Sequence, residues 1–219
     1  MKIYAVNGSP RKNKNTAVLL QKALDGAAEG RDDVKTELIH LYDYAFTGCT
    51  SCFRCKKVDG RNYGTCPVKD DLQPVLKKLS SADAVIFGSP IYFGNVTGEM
   101  KAFLERLLFP YFVYAEGYPS IAPKKFRTAF IYTMNVTEEA MKQLHYQDVL
   151  GLNEFFIEKV FSKPESLYAF DTYQFNNYAK YKADCFSEPA KAKVRAEQFP
   201  RDCEAAAALG KRLAEKMQG

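Results

Sequence analysis

Four cysteines lie close together in the polar stretch 48–71. Three of them, Cys49, Cys52 and Cys55, follow the spacing C-x2-C-x2-C, and Cys66 comes after ten further residues, directly before a proline. Thiols in such a loop can hold a metal or an iron–sulfur cluster, form a redox pair, or remain free. The spacing is too short for two zinc knuckles, which pair C-x2-4-C units across a longer gap. Three near cysteines, one distant cysteine and a following proline are typical of cluster ligands in bacterial ferredoxins.

Composition limits the kind of protein that positions these thiols. The chain has 219 residues, 47% of them hydrophobic, which is enough for one domain with a substantial core. The net charge of +5 is mild and unclustered, so we expect no nucleic-acid partner. The first residues lack the long apolar run of a signal peptide, and no stretch is apolar enough to span a membrane. We therefore expect a cytoplasmic protein without a membrane partner, whose cysteines are reduced, metal-bound or catalytic.

Short apolar runs alternate with helical patterns along the chain. Five strands are predicted at residues 2–8, 34–41, 83–90, 126–135 and 165–170. Helices are predicted between them, including 16–29 and one long helix over 138–159, and a last helix carries Cys203, Ala206, Gly210, Leu213 and Met217. This alternation predicts a single α/β domain over 1–219, with a doubly wound five-stranded parallel sheet and helices on both faces. The strand order 2-1-3-4-5 would place the three most apolar strands in the middle.

Ligands of such sheets bind beyond the carboxyl ends of the strands, where the strand order reverses. The loop after the first strand lacks both the P-loop and the dinucleotide fingerprint, yet it leads into a helix with polar residues suited to an anion: Ser9, Arg11, Asn13, Asn15 and Thr16. An ordinary capped turn is the alternative. The loop after the third strand could cover a flat ring or form a subunit contact through Pro90, Ile91, Tyr92, Phe93, Gly94 and Asn95. The loop after the fourth strand adds Thr133, Met134 and Asn135. Together the loops suggest a mononucleotide with a large planar ring.

The order of these motifs resembles the flavodoxin-like NADPH-dependent FMN reductases. The stretches NGSPRKNKNT, a cysteine loop ending in DD, and SPIYFGNVTGEMKAFLER are most similar to the iron–sulfur flavoprotein branch. Recognisable motifs extend from Met1 to about Asn135. The resemblance implies a flavodoxin-like fold, bound FMN and a homo-oligomer, either dimer or tetramer. It also assigns the first loop to the FMN phosphate and the loop after the third strand to the ring, with a looser match in the loop after the fourth.

The function implied by the resemblance is an FMN oxidoreductase that takes hydride from NAD(P)H. Electrons would then pass to a small-molecule or protein acceptor. Because the flavin performs the hydride chemistry, we expect no catalytic acid or base, and His40 and His145 are interpreted as surface or packing residues. One alternative is an iron–sulfur flavoprotein that carries electrons between protein partners. A metal-binding or regulatory module without flavin is a further alternative.

Two readings of the cysteine loop stay open. A [4Fe–4S] cluster on Cys49, Cys52, Cys55 and Cys66 agrees with the spacing, although iron–sulfur members of the family have a tighter final gap. The other reading is a set of free thiols that shape the flavin pocket, or a disulfide formed in air. The two aspartates that close the loop, Asp70 and Asp71, are predicted to cap the helix that follows them.

Aromatic residues are concentrated in two segments outside these loops. An aromatic excursion over 171–200 carries Tyr173, Phe175, Tyr178, Tyr181 and Phe186, and it should cover a groove, form a subunit contact, or pack on its own domain. The helix Gly98–Leu108, with Phe103, Leu104 and Leu107 on one stripe, and the loop 109–126 are predicted at the oligomer contact. The alternative is that the stripe faces only its own sheet. Cys185 and Cys203 are interpreted as ordinary thiols.

Overall fold

The computed structural model describes residues 1–215 and contains a parallel sheet between two layers of helices. Five strands run parallel in the order β2-β1-β3-β5-β6: β1 (Lys2–Asn7), β2 (Lys35–His40), β3 (Ala84–Tyr92), β5 (Arg127–Thr133) and β6 (Glu165–Ala169). A two-residue strand, β4 (Asn95–Val96), pairs antiparallel with the end of β3. The predicted flavodoxin-like sheet is therefore confirmed. Its order departs from 2-1-3-4-5 only because the short β4 takes a number of its own.

Within the described part of the chain, six α-helices cover the sheet: α1 (Asn15–Ala28), α2 (Leu72–Leu79), α3 (Gly98–Leu108), α4 (Glu138–Gln143), α5 (Tyr146–Val160) and α6 (Glu188–Ala214). Single 3-10 turns lie at Leu41–Asp43, Phe109–Tyr111 and Tyr178–Lys180. Among residues 1–215, no helix has the length and apolar character needed to cross a bilayer. Met217, which was expected to continue the last helical pattern, lies outside the described residues.

The two faces of the sheet carry different kinds of side chain. Because successive strand residues point to opposite faces, Phe87, Phe130 and Tyr132 pack toward α2, α3 and α5. Ala5 and Ala129 pack on the other face with α1 and α6. The smaller side chains let α1 and α6 lie close to the strands.

Two glycines set the close approach of α1 and α6. A Cβ atom on Gly210 would lie 1.7 Å from the carbonyl oxygen of Ala23, and one on Gly26 would lie 2.1 Å from that of Ala207. Real Cβ atoms do not approach backbone oxygens this closely, so any larger residue would force the helices apart. The two glycines therefore set the distance between α1 and α6.

Three predictions about individual elements need correction or adjustment. The predicted long helix over 138–159 is wrong, because His145 adopts a left-handed conformation (φ 55°) that separates α4 from α5. In the predicted aromatic excursion, α6 already begins at Glu188, where Ser187 accepts the N–H of Ala190 as a helix cap. The predicted α3 stripe of Phe103, Leu104 and Leu107 is 0–3% exposed and packs in the core of its own chain. That stripe is therefore unavailable for a subunit contact.

Candidate functional site

The first loop leads from the carboxyl end of β1 into the start of α1. Lys14 occupies the position before the helix in an extended conformation; within the described chain its side chain caps no backbone N–H, and the first turn of α1 has no acidic residue. The first backbone N–H groups of a helix have no partner inside the helix, and the helix dipole makes this end attractive to anions. Ser9, Asn15 and Thr16 are buried beside it, whereas Asn13 is exposed. The loop can thus bind an anion such as phosphate.

Short polar contacts hold this loop in shape. The side-chain oxygen of Asn7 accepts the Ser9 N–H at 3.0 Å, and the Ser9 hydroxyl accepts the Arg11 N–H at 3.2 Å. The hydroxyls of Thr16 and Thr133 share a buried hydrogen bond of 2.8 Å. The structure therefore brings the first loop and the loop after β5 together, as the sheet topology predicts. The assignment of these residues to FMN stays a prediction.

The loop after β3 is a tight hairpin. Ile91 pairs with Val96 and Tyr92 with Asn95, which leaves Phe93 and Gly94 as its two loop residues. Both have positive φ (51° and 79°), as a type I′ turn requires. Such a conformation costs little for Gly94 but is strained for Phe93, whose side chain is fully exposed. This side chain is open to a ligand at the carboxyl edge of the sheet, and its assignment to the FMN ring stays a prediction.

The segment after β6 contacts the first loop. The guanidinium of Arg11 donates to the Gln174 carbonyl at 2.8 Å, and the side-chain amide of Asn15 donates to the Tyr173 carbonyl at 3.1 Å. Arg195 of α6 donates in turn to the side-chain oxygen of Asn15 at 3.2 Å. Part of the aromatic excursion therefore packs on its own domain, beside the predicted phosphate loop. Arg195 could not be predicted from the sequence, because nothing local to α6 links it to a loop 180 residues away.

The loop after β5 is anchored by a buried lysine. The Lys191 ammonium donates to the Asn135 carbonyl at 2.7 Å and forms an ion pair with Asp171. Thr172 donates its backbone N–H and its hydroxyl to the Met134 carbonyl. The side-chain oxygen of Asn135 is buried and has no hydrogen-bond partner within residues 1–215. Buried acceptors are nearly always paired, so this atom is suited to a donor from a ligand.

All four cysteines of the loop 48–71 line one small cavity below the end of α3. Cys55 is buried, Cys49 and Cys66 are partly exposed, and Cys52 is exposed. Burial raises the pKa of the Cys55 thiol. Within residues 1–215 no three thiol, imidazole or carboxylate groups converge on one ion position. The four cysteines nonetheless share the lining of this one small cavity, and a cluster on them stays a prediction.

The predicted capping role of the two aspartates is wrong. Asp71 occupies the position before α2 but makes no side-chain cap, because its carboxylate accepts the Ala45 N–H at 3.0 Å. Asp70 forms a bidentate ion pair with Arg106, at 2.8 and 3.1 Å. Arg106 was not predicted as part of this site. Its only local signal is an arginine beside the apolar positions of an amphipathic helix.

Comparisons with known proteins agree with this geometry. The family model of the NADPH-dependent FMN reductases matches residues 1–159. An iron–sulfur flavoprotein of Methanocaldococcus jannaschii is 40% identical over 106 residues, which are 48% of this chain and 51% of that protein. An iron–sulfur flavoprotein of Archaeoglobus fulgidus is 42% identical over 106 residues, or 48% of each chain. The chain thus spans about half the length of these relatives.

Solved structures share the fold at low sequence identity. An NAD(P)H:quinone oxidoreductase from Methanothermobacter marburgensis has a TM-score of 0.70 at 12% identity, covering 97% of this chain and 98% of that one. An FMN-dependent NADH-azoreductase from Bacillus anthracis has a TM-score of 0.67 at 13% identity, covering 98% and 100%. With the match over residues 1–159, the carboxyl-edge loops and the flavodoxin-like sheet, we conclude that the chain belongs to the NADPH-dependent FMN reductase family.

Proposed function

We propose that this chain binds FMN and is an oxidoreductase that takes hydride from NAD(P)H and passes electrons to a small-molecule or protein acceptor. The observation that carries the proposal is the uncapped start of α1 beside the buried Ser9 and Thr16. This helix end lies after β1, the strand on whose two sides the sheet order runs in opposite directions. Such a position is where open α/β sheets bind their ligands.

The residues divide into two groups by the part of FMN that they suit. The phosphate would lie at the first loop, with donors from Ser9, Asn13, Asn15 and Thr16 and from the start of α1. Arg11 would add positive charge there, although its guanidinium also bonds the Gln174 carbonyl. The ring would lie against the other two loops, formed by Pro90, Ile91, Tyr92, Phe93, Gly94, Asn95, Thr133, Met134 and Asn135.

When bound, FMN supplies the hydride and electron chemistry. The chain holds the ring, keeps the loops in place and shields the site from water. The unpaired oxygen of Asn135 can accept from an N–H of the flavin, and the exposed Phe93 offers a flat apolar surface. Since neither task transfers a proton, the proposal needs no acid or base from the protein.

A comparison of FMN with riboflavin tests the proposal. The two ligands differ only in the phosphate, so FMN should bind much more tightly, by about 1.5–3 kcal/mol for each charge-assisted hydrogen bond. Replacing Thr16 or Arg11 with alanine should weaken FMN binding more than riboflavin binding. Thr137→Ala is a matched control, because Thr137 is exposed and its hydroxyl caps α4 by accepting the Ala140 N–H. Equal affinity for the two flavins would contradict the proposal.

A second candidate function is an iron–sulfur flavoprotein that carries electrons between protein partners. The observation that favours it is the shared cavity of Cys49, Cys52, Cys55 and Cys66. If a [4Fe–4S] cluster binds there, anaerobically purified protein should be brown and hold about four irons per chain. Cys66→Ala should then lose iron and keep FMN, whereas replacing the exposed Cys185 with alanine should lose neither.

Two results separate the candidates. Protein that stays iron-free after anaerobic reconstitution would leave the plain FMN reductase. Slow NAD(P)H turnover with fast electron exchange with a ferredoxin would favour the carrier.

A further inference from the structure

We propose that Arg106 is the positioning residue that holds the distant Cys66 beside the other three cysteines. The inference rests on the proposed cluster for its function, and it deepens that proposal by assigning a residue outside the cysteine loop. Ten residues separate Cys55 from Cys66, so the loop must fold back before all four thiols can share a cavity. Arg106 lies where the two ends of this loop meet.

The guanidinium of Arg106 contacts three separate points of the loop. Its Nε donates to the sulfur of Cys66 at 3.0 Å. One terminal nitrogen donates to the Thr47 carbonyl at 3.0 Å, and both terminal nitrogens donate to the carboxylate of Asp70. Thr47 comes just before the C-x2-C-x2-C run and Asp70 comes after Cys66. One side chain therefore joins the entrance of the loop, its exit and its last thiol.

Burial makes this arrangement costly to change. The Arg106 side chain is 1% exposed and that of Asp70 is 16% exposed. A buried charge is tolerated only when it is paired and hydrogen-bonded. Cys66, Thr47 and Asp70, which accept from the Arg106 guanidinium, all lie in the loop 48–71 or directly before it. A loop that moved away would leave the guanidinium buried without them. The Arg106 guanidinium therefore has its hydrogen-bond partners only when the loop is in this position.

The preceding residue of α3, Glu105, holds the start of the cysteine loop. The carboxylate of Glu105 accepts the backbone N–H of Cys49 at 3.1 Å. The first cysteine and the last are therefore attached to consecutive residues of one helix. Because a helix is stiff over such a distance, Cys49 and Cys66 keep a fixed separation even though the intervening chain is long.

An N–H donor beside a ligand sulfur has a second consequence. Hydrogen bonds to the sulfurs stabilise the more negative, reduced form of an iron–sulfur cluster and raise its reduction potential. Arg106 would thus affect both the retention of iron and the potential. A residue that only stabilised the fold would affect neither in correctly folded protein.

The test compares Arg106→Gln, Arg106→Lys and Asp70→Asn with Arg127→Gln. Arg127 is a matched control, because its guanidinium donates to the carbonyls of Leu213 and Glu215, away from the cysteines. Full FMN binding identifies the variants that fold. Among those, Arg106→Gln should lose iron to a chelator about 10- to 100-fold more readily, as is typical when a partner of a metal ligand is removed. Its remaining cluster should have a more negative potential, and Arg127→Gln should match the unchanged protein.

Arg106→Lys separates placement from charge. Lysine keeps the positive charge but cannot span Thr47, Cys66 and Asp70 with one planar group, so iron retention should stay impaired. Full recovery with lysine would overturn the positioning role in favour of charge alone. Asp70→Asn, which keeps the arginine and weakens only its anchor, should lie between the unchanged protein and Arg106→Gln.

Iron-free protein gives an independent measurement. Diamide takes two electrons and two protons from a pair of thiols and leaves a disulfide, and peptide mapping identifies the pair. Cys66 should pair with a cysteine of the 49–55 run, about tenfold more slowly in Arg106→Gln because its effective concentration there falls. If the unchanged protein binds no iron but shows this difference, the cluster fails and the positioning role stands. If iron binds and Arg106→Gln matches the unchanged protein in retention, potential and pairing, the positioning role is wrong and the cluster stands.

Discussion

The hydroxyl of Thr97 donates a buried hydrogen bond of 2.7 Å to the backbone carbonyl of Gly8. The same oxygen accepts the N–H of Met100 at 3.2 Å and so caps α3. The backbone N–H of Thr97 is held by the Ser89 hydroxyl at 3.0 Å. Through its side chain and its backbone N–H, this one residue therefore links the first loop, β3 and the helix that reaches the cysteine loop.

Thr97→Val should destabilise the protein by about 2–4 kcal/mol. It removes a helix cap, worth about 1 kcal/mol, and leaves the buried Gly8 carbonyl unpaired, which costs about 1–3 kcal/mol. The free energy of unfolding in urea measures the effect. Thr137→Val is the control, because Thr137 accepts the Ala140 N–H as a cap but is exposed. It should lose only about 1 kcal/mol. Equal losses would show that the bond to Gly8 adds nothing.

Phe93→Gly should separate stability from binding. Glycine relieves the positive φ of 51°, so the free energy of unfolding should stay within about 1 kcal/mol of its value or rise. FMN binding should weaken by about 1 kcal/mol or more, since an aromatic surface is lost. Asp59→Gly is the control for the backbone change alone, because Asp59 also has a positive φ, 58°, but lies in the cysteine loop. Unchanged FMN affinity in Phe93→Gly would remove Phe93 from the site.

Asp202→Asn should raise stability at neutral pH. Burial raises the pKa of the Asp202 carboxyl, and its second oxygen has no partner within the described chain. The folded state then binds a proton more tightly than the unfolded state, so stability falls as pH rises from the ordinary aspartate pKa through the raised one. The gain from asparagine should be greatest at neutral pH and shrink as pH is lowered below the ordinary pKa.

Thermal unfolding measured from about pH 3 to about pH 8, which is from about 1 unit below the ordinary aspartate pKa to about 4 units above it, checks this. Asp25→Asn is a matched control, because the exposed Asp25 accepts a bond of 2.8 Å from Gln21 just as Asp202 accepts one of 2.7 Å from Gln198. Because Asp25 is exposed, its replacement should change stability little. A constant difference between Asp202→Asn and the unchanged protein would contradict the prediction.

A homo-oligomer remains a prediction, and the structure points to a different surface for it. On α5 the side chains of Leu152, Phe155 and Phe156 are 60%, 48% and 44% exposed. Exposed apolar patches of this kind mark interaction surfaces. The double replacement of Leu152 and Phe155 with glutamate should shift sedimentation toward monomer. Ala208→Glu, on α6 across the sheet, should not. A native protein that sediments as a monomer at micromolar concentration would refute the prediction.

The local sequence determined the sheet and the edge at which a ligand can bind. Apolar runs alternate with helical spacing, and a parallel sheet built from them must place the loops after β1, β3 and β5 at one edge. Ser9 and Thr16 could therefore be placed at this edge, because their signal is a polar turn next to a strand and a helix, and their assignment to FMN stays a prediction. Those features depend on residues close together in the chain.

Contacts between distant residues were decided only by the tertiary structure. Arg106 meets Cys66 across 40 residues and Thr97 meets Gly8 across 89, and no local periodicity encodes either pair. The same holds for the break at His145, which neither glycine nor proline marks. Likewise, the apolar stripe of α3 has the same pattern whether it faces its own sheet or a partner, because periodicity reports that a face is buried and not what buries it.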